Sequence, residues 1–434
     1  SRRVFDALAD LYLGGLGNLS RAEVALMEVL KRAPEDRPTL ERLVVVHRRQ
    51  DDVVRALEVQ QQLVALSSSP EQRTAALVEL AAIYETVARD PRKAEATLEA
   101  LRKELPLSVT ALRALASFFE RQGQTAALHV LLDRAAGDAR RAFSGGRFVT
   151  ALFEVLGAAY ELRGKADAAR VVAATLAAIQ GQPAALAGVE LRASAPELDE
   201  LLAPEVLNPA LRGLLRRAGD SLDRGHPFDL GPLAATPLDS SHRLARIIQQ
   251  AASSMDLSGL LVLVSPKLGP VAIPGACTPP TLVIGERLLE VTNDAARIFQ
   301  VIRALKLLSV RASALVRGKS EEVNALVSAW LTLFNPSWEP SNVPPALLED
   351  MQRRLEPTMP AEDPALGVAA LEAAGLLGTS GPQLRAAALG WANRVALLSV
   401  GAPSAELDAI AWSLREDGAP DAEGAIEVAY GVEE

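Results

Sequence analysis

The side chains that could carry covalent or metal chemistry are few. The 434 residues contain one Cys, Cys277, and four His: His47, His129, His226 and His242. Zinc sites draw on His, Cys and carboxylate donors, and a helical ligand pair needs its donors three or four residues apart. No two His are that close and none follows His242, so no H-E-x-x-H motif exists in any register. A single Cys also excludes a disulfide framework and a cysteine-rich zinc site. Cys277, in Ala-Cys-Thr-Pro-Pro, would need His226 or His242 as a base to act as a nucleophile; beside prolines it reads instead as a small buried hydrophobe. Gly14-Gly15-Leu16-Gly17 is Gly-rich, yet it follows a helical pattern rather than a strand, so it reads as a turn and not a phosphate cradle. What remains is charge. Arg48, Arg49, Arg113 and Arg121 flank a recurring packing motif and could offer cationic contacts to a carboxylate-bearing partner; the alternative is a solvated helix face.

That packing motif is the main feature of the first half. Leu8-Ala9-x-x-Tyr12, Leu43-Val44-x-x-His47, Leu80-Ala81-x-x-Tyr84, Leu115-Ala116-x-x-Phe119 and Leu156-Gly157-x-x-Tyr160 repeat, with their last residues 35, 37, 35 and 41 positions apart. Each is followed by a turn and a second apolar helix, and Pro34, Pro106 and Pro183 read as helix stops. Ser20-x-x-Glu23 reads as a capping box, and Asp90-Pro91 as a cap followed by proline in the first helical position. Gly137 to Phe148 reads as an insertion between the fourth and fifth units. His47, in the aromatic slot, reads as a core histidine.

Helix-turn-helix units at this period, over residues 1–185, resemble the tetratricopeptide repeat. Phe153-x-x-Leu156-Gly157-x-x-Tyr160, with Gly164, Ala169 and Pro183, is the nearest match to its motif. The resemblance implies an α-solenoid whose first helices line a concave groove that holds a peptide or protein. Stacked repeats need capped ends, so further repeats are expected before Ser1.

Beyond residue 185 the pattern changes. Residues 186–240 are interrupted by Pro196, Pro204, Pro209, Pro227, Pro232 and Pro237 and read as a proline-rich helical bridge, with one helix around Leu211, Leu214, Leu215 and Ala218. A helix from His242 to Ala252 follows. Leu260–Val264, Val271–Ile273 and Thr281–Ile284 read as three short strands. A long helix is expected from about Asn293 to Val316, with an apolar stripe at Ile298, Val301, Ile302, Leu305, Leu308, Ala312 and Leu315. Within the proline-dense stretch 335–364 only Ala346–Leu355 fits a helix. The four Trp are scattered without basic neighbours and read as core or rim residues. Residues 416–434 read as a frayed acidic tail.

Val271-Ala272-Ile273-Pro274-Gly275, Thr281-Leu282-Val283-Ile284-Gly285, Leu288-Leu289 and the helix from Asn293 resemble zinc metallopeptidases of the CAAX prenyl endopeptidase family, as does Ala392-Asn393-Arg394-Val395-Ala396-Leu397-Leu398. The likeness covers roughly residues 240–415. It implies that Arg303, Ala304 and Leu307 stand where the family has the His, Glu and His of its zinc helix, that Leu389 stands at the third-ligand Glu, and that Asn393 stands at the following Asp. Arginine has no lone pair to give a metal and Ala and Leu have no polar atom, so the resemblance implies a scaffold without zinc or its activated water.

The expected fold class is therefore mainly α: an α-solenoid of tetratricopeptide-like hairpins (1–185), a bridge (186–240), a degenerate metallopeptidase-like α+β domain with a small sheet at about 260–285 packed on helices (241–415), and the tail. The net charge of −9 argues against general nucleic-acid binding, and the acidic excess lies almost wholly beyond residue 200. No apolar run is long enough to span a bilayer. No signal peptide is visible, which points to the cytoplasm unless an upstream targeting segment precedes this chain. The Ala, Arg, Leu and Val bias with few Lys resembles high-GC bacterial proteomes. The expected role is a noncatalytic adaptor or scaffold without cofactors, binding protein partners within a larger complex through the groove, the inactive domain or both. The alternatives are a hydrolase with an unrecognised or partner-completed site, and a repeat protein with a helical cap, which would lack strands near 260–285.

Overall fold

The computed structural model describes residues 2–182, 186, 200–361, 363–378 and 380–414. The expectations for Pro183, Pro196 and the tail lie outside the described residues. The protein is mainly α-helical with a small mixed sheet, and it divides into two compact units, Ser1–Leu176 and Ala177–Glu434.

The first unit is built from α1 (Arg2–Asp10), α2 (Leu19–Leu30), α3 (Arg37–Arg49), α4 (Val53–Ala65), α5 (Pro70–Thr86), α6 (Pro91–Glu104), α7 (Val109–Arg121), α8 (Thr125–Ser144), α9 (Thr150–Leu162) and α10 (Ala166–Ile179). From α1 to α9 each helix packs on the next, and α5 also touches α7 as α7 touches α9. The sequence punctuates these helices residue by residue. Asn18, Asp36, Asp52, Ser69, Asp90 and Ser108 each accept the backbone N–H three residues on, a cap that contributes about 1 kcal/mol apiece. The expected Ser20–Glu23 capping box is not the device used. Asn18 caps α2 two residues earlier, and Glu23 instead accepts from Arg55 (2.7 Å) and Gln50 (3.2 Å). Asp90 caps α6 as expected, with Pro91 behind it.

The turn after each odd helix places one residue in the left-handed region: Gly17, Asp51, Arg89, Gly123 and Gly164. The motif residues between those turns fill the interior. Ala9, Leu43, Val44, Ala81, Leu115, Ala116, Phe119 and Leu156 are buried, and so is His47. A Cβ added to Gly157 would lie 3.6 Å from Val172 Cγ1, an ordinary contact, so close helix approach does not require glycine there. The insertion around Gly137 is absorbed by lengthening α8 to 20 residues.

In the second unit, part of the expected bridge is core. Helix α11 (Pro209–Gly225) buries Leu211, Leu214, Leu215, Ala218 and Leu222. A stripe that long must be covered, so the helix joins the domain it covers. The sheet comprises β1 (Thr236–Pro237), β2 (Leu261–Ser265), β3 (Ala272–Cys277) and β4 (Pro280–Gly285), in the order β1-β2-β4-β3. Strands β2 and β4 are parallel, while β3 and β4 are antiparallel. Val262, Ala272, Leu282 and Ile284 face one apolar cluster, and Leu263, Ile273 and Val283 face another. A sheet covered on both faces reads as continuous apolar runs, which is how these strands were legible.

Around the sheet lie α12 (Arg243–Ser254), the short α13 (Glu286–Glu290), α14 (Asp294–Ser309), α15 (Ser320–Phe334), α16 (Pro345–Leu355), α17 (Pro364–Leu377), α18 (Leu384–Val400) and α19 (Pro403–Leu414). Helix α14 is shorter than expected. Arg311 takes φ 56° and the Ala312 N–H closes on Leu307 O (2.9 Å), ending the helix before a separate 3₁₀ turn at Ser313–Val316. Ala312 and Leu315 are buried in that turn, so the apolar period ran on past the helix. Gly219 of α11 abuts this point; a Cβ there would sit 2.6 Å from Arg311 O. Among the described residues no helix is long and apolar enough to cross a membrane.

Candidate functional site

Two hollows on the first unit are lined mainly by its odd helices. One, about 400 Å³, is lined by Val45, Arg48 and Arg49 of α3 with Thr86 and Val87. A second, about 270 Å³, shares Thr86 and is lined by Val78, Ala82 and Glu85 of α5 with Ser117 and Arg121 of α7. Together they form a groove crossing three successive odd helices. Its floor is small and apolar, and its rim is charged.

Three of the four arginines expected there are held by carboxylates of a neighbouring odd helix. Arg48 pairs with Glu79, Arg113 with Glu161 (2.6 Å), and Arg121 forks onto Glu85 through Nε (3.1 Å) and Nη2 (2.7 Å). Arg42 does the same toward Asp10 (2.6 Å). Hydrogen bonds from Arg121 and Gln122 hold the Glu85 carboxyl below its ordinary range, and the Glu85 bond raises Arg121 in return. Exposed pairs of this kind contribute about 0.2–1 kcal/mol each, so their main effect is geometric: they fix where the guanidiniums point. Arg49 is exposed and makes no ion pair among the described residues. The structure therefore brings Arg48, Arg49 and Arg121 to the groove, with Arg113 outside both hollows. The acidic partners went unread in the sequence. A signal existed: Glu85 and Glu161 follow the motif aromatics Tyr84 and Tyr160 directly.

In the second unit, α14 packs along α18 and against β3 and α19. Arg303 is buried; burial pushes the Glu406 carboxyl of α19 up to about 7, while the charge of Arg303 pulls it down. Ala304 lies in the sheet-side core with Val301, Leu305 and Leu308, whereas Leu307 lies in the helical core with Phe299 and Ile302. Arg303, Ala304 and Leu307, none of them in the expected apolar stripe, are thus all buried, because α14 serves two cores at once. Leu389 is half-buried between the helical core and the lower sheet face. Asn393 is half-buried on the same helix, and its Oδ1 has no hydrogen-bond partner among the described residues. Among the described residues no three His, Cys, Asp or Glu side chains converge in a metal-holding group.

Cys277 is buried, its thiol pushed up to about 12 chiefly by burial and then by Asp223. Its Sγ meets Ser313 Oγ at 3.3 Å, and its N–H donates to Asp223 Oδ2 (2.8 Å). Asp223 is paired with Arg317, which also donates to the carbonyls of His226 (2.8 Å) and Gly275. A neutral, enclosed thiol is a poor nucleophile. His242 caps α12, its Nδ1 accepting the Leu244 N–H (3.1 Å). No protein-family model matches this chain, and comparison with curated proteins finds no match either.

Proposed function

We propose that this chain is a noncatalytic protein-binding scaffold. The observation that carries the reading is the groove across α3, α5 and α7. It has an apolar floor, and two of its three rim arginines, Arg48 and Arg121, are held in place by carboxylates of the neighbouring helices. A surface of fixed, alternating charge over small apolar hollows suits an extended segment of another protein, its carboxylates meeting Arg49 and the outer faces of Arg48 and Arg121. The tetratricopeptide resemblance over 1–185 supports this reading. The metallopeptidase resemblance over 240–415 adds a domain whose key positions, Arg303, Ala304, Leu307, Leu389 and Asn393, cannot bind or activate a zinc-bound water. The proposed setting is the cytoplasm, within a larger complex.

The test uses the full chain as bait. A partner is first identified by affinity capture, and its affinity is then measured for the wild type and for a variant carrying Arg48→Glu, Arg49→Glu and Arg121→Glu together. The expected result is a loss of ten-fold or more, with binding that weakens as salt rises. Undiminished, salt-insensitive binding by a folded variant would move the partner off this groove. Stoichiometric zinc in the purified chain, or peptide hydrolysis by it, would count against a noncatalytic role.

A further inference from the structure

The turn from α8 to α9 carries side chains that the groove does not use. Three backbone hydrogen bonds close the end of α8: Gly145 N–H to Arg141 O (3.0 Å), Gly146 N–H to Phe143 O (2.9 Å) and Arg147 N–H to Ala142 O (2.9 Å). Gly146 takes φ 75°, the left-handed position at which such a cap reverses the chain. The turn is thus fixed by its own backbone, and it lays Phe148 back onto α8. The Phe148 ring stacks on Phe143, with centroids 5.8 Å apart and planes 9° from parallel, and Phe143 meets the buried Phe153 of α9 at 4.5 Å. Phe148 itself is 66% exposed. Among the described residues its ring contact is with Phe143, so its other face is uncovered.

Cations flank that ring. Arg140 lies one helical turn before Phe143, and Arg147 adjoins Phe148; both are exposed and make no ion pair among the described residues. The carboxylates of this stretch are Asp138, which Arg141 holds, and Glu154 on α9, which makes no ion pair among the described residues. Arginines near a helix C-terminus complement its dipole, but that does not call for an open aromatic ring beyond the helix end.

The geometry points to a second docking surface, in which a short acidic segment of another protein stacks an aromatic side chain on Phe148 and sets its carboxylates against Arg140 and Arg147. A flat, pre-positioned ring favours another ring, and unpaired guanidiniums favour carboxylates, which they can grip in a fork. A long polyanion such as single-stranded nucleic acid meets the same two features but also the field of a chain with net charge −9, which opposes it. None of these residues lines the groove across α3, α5 and α7, so the surface does not rest on the groove reading.

The test measures binding of the full chain to a fluorescein-labelled peptide, Glu-Asp-Trp-Asp-Glu, by anisotropy. Saturable binding that weakens with salt is expected, and a peptide with Ala in place of Trp should bind about three- to ten-fold more weakly. Phe148→Ala, an exposed change that spares the core, should cost a similar factor. Arg140→Glu with Arg147→Glu should cost about ten-fold or more. The groove variant carrying Arg48→Glu, Arg49→Glu and Arg121→Glu should bind the peptide as the wild type does. Absence of binding at millimolar peptide overturns the proposal, as does binding indifferent to Phe148→Ala or to the Arg140 and Arg147 reversal. Loss of binding in the groove variant alone would place the peptide there instead. Tighter binding of a labelled ten-residue oligothymidylate than of the peptide, lost in Phe148→Ala, would overturn the choice of an acidic protein segment.

Discussion

The most constrained residues of the second unit are Asp223 and Arg317. Their pair is almost fully buried, and through the Cys277 N–H and the carbonyls of Gly275 and His226 it ties α11 to β3 and to the 3₁₀ turn. Removing one member leaves the other charged and unpaired in the interior. Arg317→Ala is therefore expected to cost about 3–5 kcal/mol in urea unfolding, whereas removal of an exposed pair such as Arg113–Glu161 stays within about 1 kcal/mol. Cys277 belongs to the same network. With its thiol raised to about 12 and enclosed, it should resist a disulfide reagent such as DTNB in the native protein and react stoichiometrically once denatured. Fast labelling of the folded chain would contradict this structure. The sequence identified Cys277 as a buried hydrophobe from its type and neighbours. It could not show the Asp223–Arg317 pair, whose members are 94 positions apart.

Helix boundaries in the first unit follow from local chemistry, and there the sequence was nearly sufficient. The motif spacing located the five odd helices, and Asp90-Pro91 marked a true start. The false start at Ser20 came from its capping-box spacing to Glu23, whereas Asn18, two residues earlier and an equally good capping type, takes the position. Two substitutions test the local account. Arg89 holds φ 53° in a turn where the fourth and fifth repeats use glycine, so Arg89→Gly should raise stability by about 1 kcal/mol through relief of left-handed strain. Gly157 lies inside α9 with room for a methyl group, so Gly157→Ala should add about 0.5–1 kcal/mol by lowering the entropy of the unfolded chain. Both are read as midpoint shifts in urea, and a loss of stability in either would mean that the turn or the α9–α10 contact is tighter than described. Helix α14 shows the opposite case. Its periodicity continued smoothly into Val316, and only the left-handed Arg311 against Gly219 ended it.

At the scale of the molecule, the two units differ in how they report on themselves. All four tryptophans, Trp330, Trp338, Trp391 and Trp412, lie in the second unit. Trp fluorescence during urea unfolding should therefore follow that unit alone, while far-UV circular dichroism follows both. Non-coincident transitions are expected, since a repeat stack held by nearest-neighbour contacts and a domain with a central core need not melt together. Superimposable curves would make the chain one cooperative block. The sequence by itself determined the helical repeat, the three main strands and the absence of His donors after His242, because these depend on residue type and short-range period. Tertiary structure alone decided that α11, within the expected bridge, is core, that α14 is buried on two sides, and that Arg48, Arg113 and Arg121 are held by acids from neighbouring odd helices. Each of those is a pairing between residues far apart in the chain, set by which faces pack together, and a one-dimensional pattern does not carry that information.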